Sequence, residues 1–252
     1  MITKSKMTAI KIKRIAYDLG ADLCGIAPVE RFRHAPIGFR PSDVYSKSES
    51  VIVYAKRLPS EVLFAESCIP YTQVNSLIAF EVDRLSLQFS LKLHDMGIKN
   101  VMIPSDDPYE SWNQEKRHGQ AILSLRHAGE LAGLGKLGKN NLLINVKYGN
   151  MLQLGAILTD CLLAYDDIAE YNVCPPNCSL CTESCPKDAL DGTTVIQSKC
   201  RTLSTYRNEK GYVLKKCWTC RKVCPHALGL KGVEERTRTA RQERKPEPKH
   251  IA

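Results

Sequence analysis

Apolar positions recur along the chain with helical and strand periods in turn. Ile10, Ile12, Ile15, Ala16 and Leu19 fall at helical spacing among lysines from about Met7 to Leu19, and Gly20 follows as a C-terminal cap. Residues 21–27 read as a short strand, and the run from Ser50 to Ala55 as a second, buried one. Between them, residues 31–45 are rich in proline, arginine and aromatics and read as loop. From Thr72 to Met96 the positions Val74, Leu77, Ile78, Val82, Leu85, Leu87, Phe89 and Leu91 repeat among polar residues, which predicts one long helix stopped by Gly97. A strand over 100–103 follows, then an acidic turn over 104–110 and a helix over 120–131. Residues 142–146 and 151–158 are two apolar strands, and the Lys147-Tyr148-Gly149-Asn150 turn between them predicts a hairpin. Helices and strands mix without a repeating βαβ unit, so the expected class is α+β.

The chain has 252 residues, long enough for one good core and a small second module. Its 43% hydrophobic and 25% charged content is that of an ordinary globular protein. No run reaches membrane-spanning length, and the opening Met1-Ile-Thr-Lys-Ser-Lys has no signal-peptide core, so a cytoplasmic protein is expected. The net charge of +9 admits a nucleic acid or another anionic partner. Part of that excess lies in the polar, aromatic-free tail over 231–252, whose composition is that of a solvated or disordered segment.

The cysteines change the picture. Cys178-Ser-Leu-Cys181-Thr-Glu-Ser-Cys185-Pro186 and Cys217-Trp-Thr-Cys220-Arg-Lys-Val-Cys224-Pro225 repeat C-x2-C-x3-C-P, with Cys174 ahead of the first copy and Cys200 between the two. This is the bacterial-ferredoxin spacing, in which the last cysteine of each run binds the other cluster, and two 4Fe-4S clusters need eight thiolates. Structural zinc needs two cysteine pairs and gives no reason for the third cysteine and the proline. A disulfide framework belongs to small secreted domains. Cys24 and Cys68 lack metal spacing and read as buried thiols. The acidic stretch 160–171 leads into the cysteine module, which divides the chain into 1–168, 169–230 and the tail 231–252.

Gly133, Gly135 and Gly138 match G-x-G-x-x-G, with Asp160 at the distance of a ribose contact. A dinucleotide site requires a strand just before the first glycine, and the residues here are helix-forming. The glycines suit a tight helix-to-loop packing contact, or a close backbone approach to a large planar cofactor.

Gly133-Leu-Gly135-x-x-Gly138-Lys-Asn, Leu142-Leu-Ile, Tyr148-Gly-Asn, Leu154-Gly-Ala and Leu158-Thr-Asp, in this order before the cysteine runs, resemble the epoxyqueuosine reductase family and its relatives, the reductive dehalogenases. The resemblance implies a nitroreductase-like α+β domain that binds a corrinoid such as cobalamin, followed by a ferredoxin-like double-cluster module. It assigns Cys174, Cys178, Cys181 and Cys224 to one cluster and Cys185, Cys200, Cys217 and Cys220 to the other. It also places Gly133, Gly135, Gly138, Lys139, Asn140, Leu142, Tyr148 and Gly149 along the corrinoid. The pattern departs in one place before the first run, where three residues separate Cys174 from Cys178 instead of two; Cys161 is the reserve ligand.

A second departure concerns the proton donor. The family carries an aspartate a short, fixed distance before Ala-Gly-Leu-Gly, and counting back from Ala132 lands near Gly119. Asp106 and Asp107 are the catalytic candidates left, in a turn whose plain role is a helix cap; Tyr109 and Glu110 stand beside them. The reading is therefore a reductase fed by a low-potential donor such as a ferredoxin or flavodoxin, acting on an unidentified substrate, with epoxyqueuosine itself put in question. Its alternatives are an electron-transfer or corrinoid-reactivating partner, and a ferredoxin-type reductase with FMN in place of the corrinoid.

Overall fold

The computed structural model describes residues 4–230. The basic tail over 231–252 lies outside the described residues.

The architecture rests on one four-stranded sheet, of order β1-β2-β8-β3, with every neighbouring pair antiparallel. Helix α1 (Lys4–Asp18) leads into β1 (Leu23–Pro28), and α2 (Pro41–Val44) is a single turn before β2 (Ser50–Arg57). Helix α3 (Cys68–Asp95) is followed by β3 (Asn100–Ile103) and by a small hairpin of β4 (Ser111–Asn113) and β5 (His118–Gln120). Helix α4 (Leu125–Leu131), the two-residue strands β6 (Lys136–Leu137) and β7 (Leu143–Ile144), and the central β8 (Leu152–Thr159) complete this part.

Strand β2 is apolar without interruption because both of its faces are covered. Ile52 and Tyr54 look toward α1 and α3, where they pack with Ile12, Val82, Leu85, Phe89 and Ile157. Val51, Val53 and Ala55 look the other way, onto Ala128 and Ala132 of the α4 region together with Leu154 and Leu158. Each fully buried side chain of this size contributes on the order of 1.5–3 kcal/mol. The hydroxyls of Tyr54 and Ser86, driven deep into the first core, satisfy each other: Tyr54 Oη donates to Ser86 Oγ at 2.6 Å, and Ser86 Oγ donates to the Val82 carbonyl at 2.7 Å.

Both long helices end as their sequences predict. Gly20 and Gly97 follow α1 and α3 with φ of +95° and +77°, a region that side chains with a Cβ avoid. Ser67 starts α3 by accepting a hydrogen bond from the Ile69 amide at 3.2 Å.

Two expectations are corrected. The hairpin of 142–146 with 151–158 does not form: β8 has both edges taken by β2 and β3, so β7 pairs with β6 instead, and 145–150 closes as a turn bonded between Asn145 and Gly149. The helix expected over 120–131 begins only at Leu125, because Gln120 belongs to β5. Loop 31–45 also contains the single turn α2.

The cysteine-bearing part carries three short helices, α5 (Leu180–Glu183), α6 (Gln197–Ser204) and α7 (Thr219–Lys222), and a hairpin of β9 (Tyr206–Arg207) with β10 (Val213–Leu214). It docks through Trp218, whose ring stacks on Tyr71 of α3 at 4.8 Å and whose indole N–H donates at 3.0 Å to the carbonyl of Leu63, in the turn before that helix. A ring pair of this kind adds about 0.5–1.5 kcal/mol beyond its buried area. Among the described residues no helix is long and apolar enough to cross a membrane.

Candidate metal centres and the adjoining loop

The two cysteine runs fold alike. Each places its middle cysteine, Cys181 or Cys220, on a one-turn helix, and each ends at a proline just beyond that turn. The electrostatic neighbours of the thiols fall into two sets. Burial raises the Cys181 pKa, with Cys174 and Cys178 adding to the effect, and burial likewise raises Cys224, which feels Cys174, Cys181 and Cys178. Burial pushes Cys220 up to about 12; the Arg221 charge opposes this, while Cys200, Cys217 and Cys185 reinforce it. Cys224, the last of the second run, thus stands with the first run, and Cys185, the last of the first, stands with the second. All eleven cysteines are free thiols. Among the described residues no three His, Cys, Asp or Glu side chains converge tightly enough for a single metal ion. A four-iron cluster spreads its thiolates over several iron atoms, so its donors stand further apart than those of a single ion.

Backbone amides already address the sulfurs. Lys139 N–H donates to Cys174 Sγ and Ala189 N–H to Cys185 Sγ, both at 3.3 Å. Hydrogen bonds to cluster sulfur are among the levers that set reduction potential.

The residues expected along a corrinoid are engaged elsewhere. Lys139 Nζ donates to the carbonyls of Pro176 at 3.0 Å and Cys178 at 2.8 Å, and Asn140 Nδ2 donates to the Cys220 carbonyl at 3.1 Å. These two residues clasp both cysteine runs, and they lie in the turn between β6 and β7 rather than at a helix start. The glycines are spaced by protein, not by a ligand: a Cβ on Gly133 would fall 2.2 Å from the Asp167 carbonyl oxygen, and one on Gly135 2.5 Å from that of Ile144. A Cβ on Gly138 would meet the Ile144 side chain at 2.7 Å, and one on Gly149 the Ala227 and His226 carbonyl oxygens at 2.2 and 2.3 Å. Leu142 accepts the Gly138 amide, and the Tyr148 ring lies under Lys147 and Arg57. These contacts are all made within the protein. A helix precedes Gly133, so the dinucleotide context is absent, and the Asp160 amide donates to the carbonyl of Lys99, the residue before β3.

The acidic turn sits on the second cysteine group. Asp106 and Asp107 are exposed, and the Asp107 carboxyl is raised above its ordinary value by burial and then by Asp106, against Arg201 and Lys215. Tyr109 Oη lies 3.3 Å from Asp106 Oδ1 and accepts from Arg201 at 3.1 Å. Arg201 also stacks over the Tyr109 and Trp112 rings at 5.2 and 5.0 Å. Gln197 holds Gly119 from both sides, accepting its amide and donating to its carbonyl, each at 3.1 Å. Gln197 and Arg201 flank Cys200 on α6, one turn apart, so one helix carries a cluster candidate ligand and both grips on the loop. Glu110 is exposed. Sequence reasoning missed Gln197 and Arg201; their i, i+4 spacing around Cys200 was the available signal.

Comparison with known proteins follows this geometry. No protein-family model matches the chain. The epoxyqueuosine reductase of Staphylococcus aureus is 35% identical over 258 aligned positions, covering 85% of this chain and 63% of that protein. A solved epoxyqueuosine reductase bound to an epoxyqueuosine-modified tRNA-Tyr stem loop superposes with TM-score 0.60 at 19% identity, covering 88% of this chain and 65% of that one. A reductive dehalogenase whose structure suggests a mechanism for B12-dependent dehalogenation superposes with TM-score 0.65 at 21% identity, covering 98% of this chain and 35% of that one. The fold is therefore the mixed helix and sheet fold shared by epoxyqueuosine reductases and reductive dehalogenases. In sequence the chain is similar to epoxyqueuosine reductases, and it spans somewhat less than two thirds of the length of the Staphylococcus aureus relative.

Proposed function

We propose that the protein is an iron-sulfur oxidoreductase of the epoxyqueuosine reductase type, with a nitroreductase-like sheet domain over 1–168 and a ferredoxin-like double-cluster module over 169–230. The observation that carries this reading is the sorting of eight cysteines into two groups that exchange their last members. Cys174, Cys178, Cys181 and Cys224 hold one 4Fe-4S cluster, and Cys185, Cys200, Cys217 and Cys220 hold the other. When bound, the clusters supply one-electron carriers in series.

The chain's own residues do the rest. Lys139 and Asn140 fix the two cysteine runs to the sheet domain, and α6 delivers Gln197 to Gly119 of β5 and Arg201 to Tyr109 of the Asp106–Trp112 loop. The substrate class taken from the relatives is an epoxide carried on a tRNA nucleoside, and the basic balance of the chain suits that partner. Reducing an epoxide consumes two electrons and two protons. Asp107, whose carboxyl is raised above its ordinary value by burial and by Asp106, and Asp106 or Tyr109 beside it are the candidate proton sources on this loop. Cobalamin enters the reading through the family resemblance and the dehalogenase relative, and when bound it would supply cobalt chemistry; in the structure the Gly133–Asn140 loop is engaged with the cysteine module.

The engagement of that loop favours a second reading, an electron-delivery protein that hands electrons to a separate corrinoid protein. Anaerobic reconstitution decides the first point: about eight irons per chain are expected. Incubating the reduced protein with epoxyqueuosine-bearing tRNA decides the second. Turnover supports the reductase; intact clusters without turnover, but oxidised rapidly by a corrinoid protein, support the electron-delivery reading. A colourless protein without iron overturns both.

A further inference from the structure

A groove of about 320 Å³ opens beside the end of the second cysteine run. Its walls include Cys224 and Pro225, so a candidate ligand of the first cysteine group lies directly beneath it. Pro225 is exposed, and the rim carries two large apolar side chains held in solvent, Phe64 at 53% and Leu228 at 50% exposure. Lys147 and Lys222 flank these apolar residues, and both are exposed. Neither has a carboxylate within ion-pair distance among the described residues; each lies instead over an aromatic ring, Lys147 over Tyr148 and Lys222 over Phe64. Glu61 and Glu66, the acids nearest Phe64 in sequence, do not line the groove.

An apolar centre ringed by unpaired positive charge is the surface that an acidic protein recognises: the charges steer the encounter and the apolar centre seats it. The second cysteine group is tied, through α6, to Tyr109 and Gly119, and none of these residues lines the groove.

We infer that this groove is the docking surface for an acidic, low-potential electron-carrier protein, which delivers electrons at Cys224. The inference rests on the two-cluster reading above. Charge also argues against the chain's own continuation as the occupant: from Lys231 onward the sequence carries seven lysines and arginines against four glutamates, and like charge does not seat on Lys147 and Lys222.

The test uses the anaerobically reconstituted full chain, with the bleaching of its visible absorption followed by stopped flow. The donors are a reduced flavodoxin of net negative charge and, as a control, photoreduced deazariboflavin, which is uncharged. The flavodoxin rate constant is expected to fall about tenfold or more as salt rises from about 0.05 to about 0.5 M. The Lys147→Glu/Lys222→Glu pair, and separately Leu228→Asp, should lower it about tenfold at low salt while the deazariboflavin rate and the visible spectrum stay unchanged. Equal flavodoxin rates in wild type and both variants overturn the docking surface. Faster flavodoxin reduction on deleting 231–252, lost again in the Leu228→Asp background, overturns it in favour of the tail as occupant. Failure of deazariboflavin to bleach the wild type at all overturns the two-cluster reading instead.

Discussion

Arg201 donates to Tyr109 Oη at 3.1 Å across a sequence separation of 92 residues, and the Tyr109 ring in turn lies over Gly119. A Cβ on Gly119 would approach that ring to 2.9 Å. The position at which the family resemblance expects an aspartate is thus filled by tyrosine.

Gly119→Asp should accordingly destabilise the protein by about 1–3 kcal/mol through overpacking. Combining it with Tyr109→Ala should recover part of that loss. Urea midpoints of the two single variants and the double variant check this, and simple additivity would argue against the contact.

The exchange of cysteines between runs has a direct test in paired substitutions. Cys178→Ala with Cys224→Ala should leave about four irons, because both then belong to one cluster. If each run kept its own cluster, the same pair would remove both. Iron content per chain, with electron paramagnetic resonance of the reduced sample, reads the difference.

Asp107 makes stability depend on pH in a set direction. Its folded pKa is raised above the ordinary aspartate value of 3.8, so the stability it contributes is fully present below 3.8 and is lost as pH climbs through the folded value. Asp107→Asn should match wild type at acid pH and gain on it as pH rises. Urea midpoints between about pH 3 and about pH 7 measure the gap.

Arg126 is the fourth site. Its guanidinium donates to the Asn141 carbonyl, and burial lowers its pKa against the charges of Tyr109, Cys200 and Cys220. A positive charge beside the second cysteine group favours the reduced state there. Arg126→Gln should lower that midpoint potential by tens of millivolts, about 59 mV for each tenfold change in a one-electron equilibrium. Potentiometric titration shows it.

The parts of this fold that local pattern determines were legible in sequence. The helical spacing that ends at Gly20 and Gly97, the doubly buried run of β2 and the repeated cysteine spacing all encode their outcomes within a short window. The parts that failed depend on distant partners. Ser111-Trp112-Asn113 and His118-Gly119-Gln120 carry no strand pattern, and their hairpin is gripped by Gln197 and Arg201 of α6. Residues 142–146 and 151–158 both look like strands, and only the sheet order shows that β8 had no free edge for β7. Lys139 and Asn140 were legible as special, but the partners they reach, 37 to 80 residues away, were not.

Helix α6 joins two regions that chain order keeps far apart. Cys200 sits between Gln197, which holds Gly119, and Arg201, which holds Tyr109. A displacement of that one helix is therefore passed to the candidate ligand and to the loop at the same time, and neither can be shifted without the other.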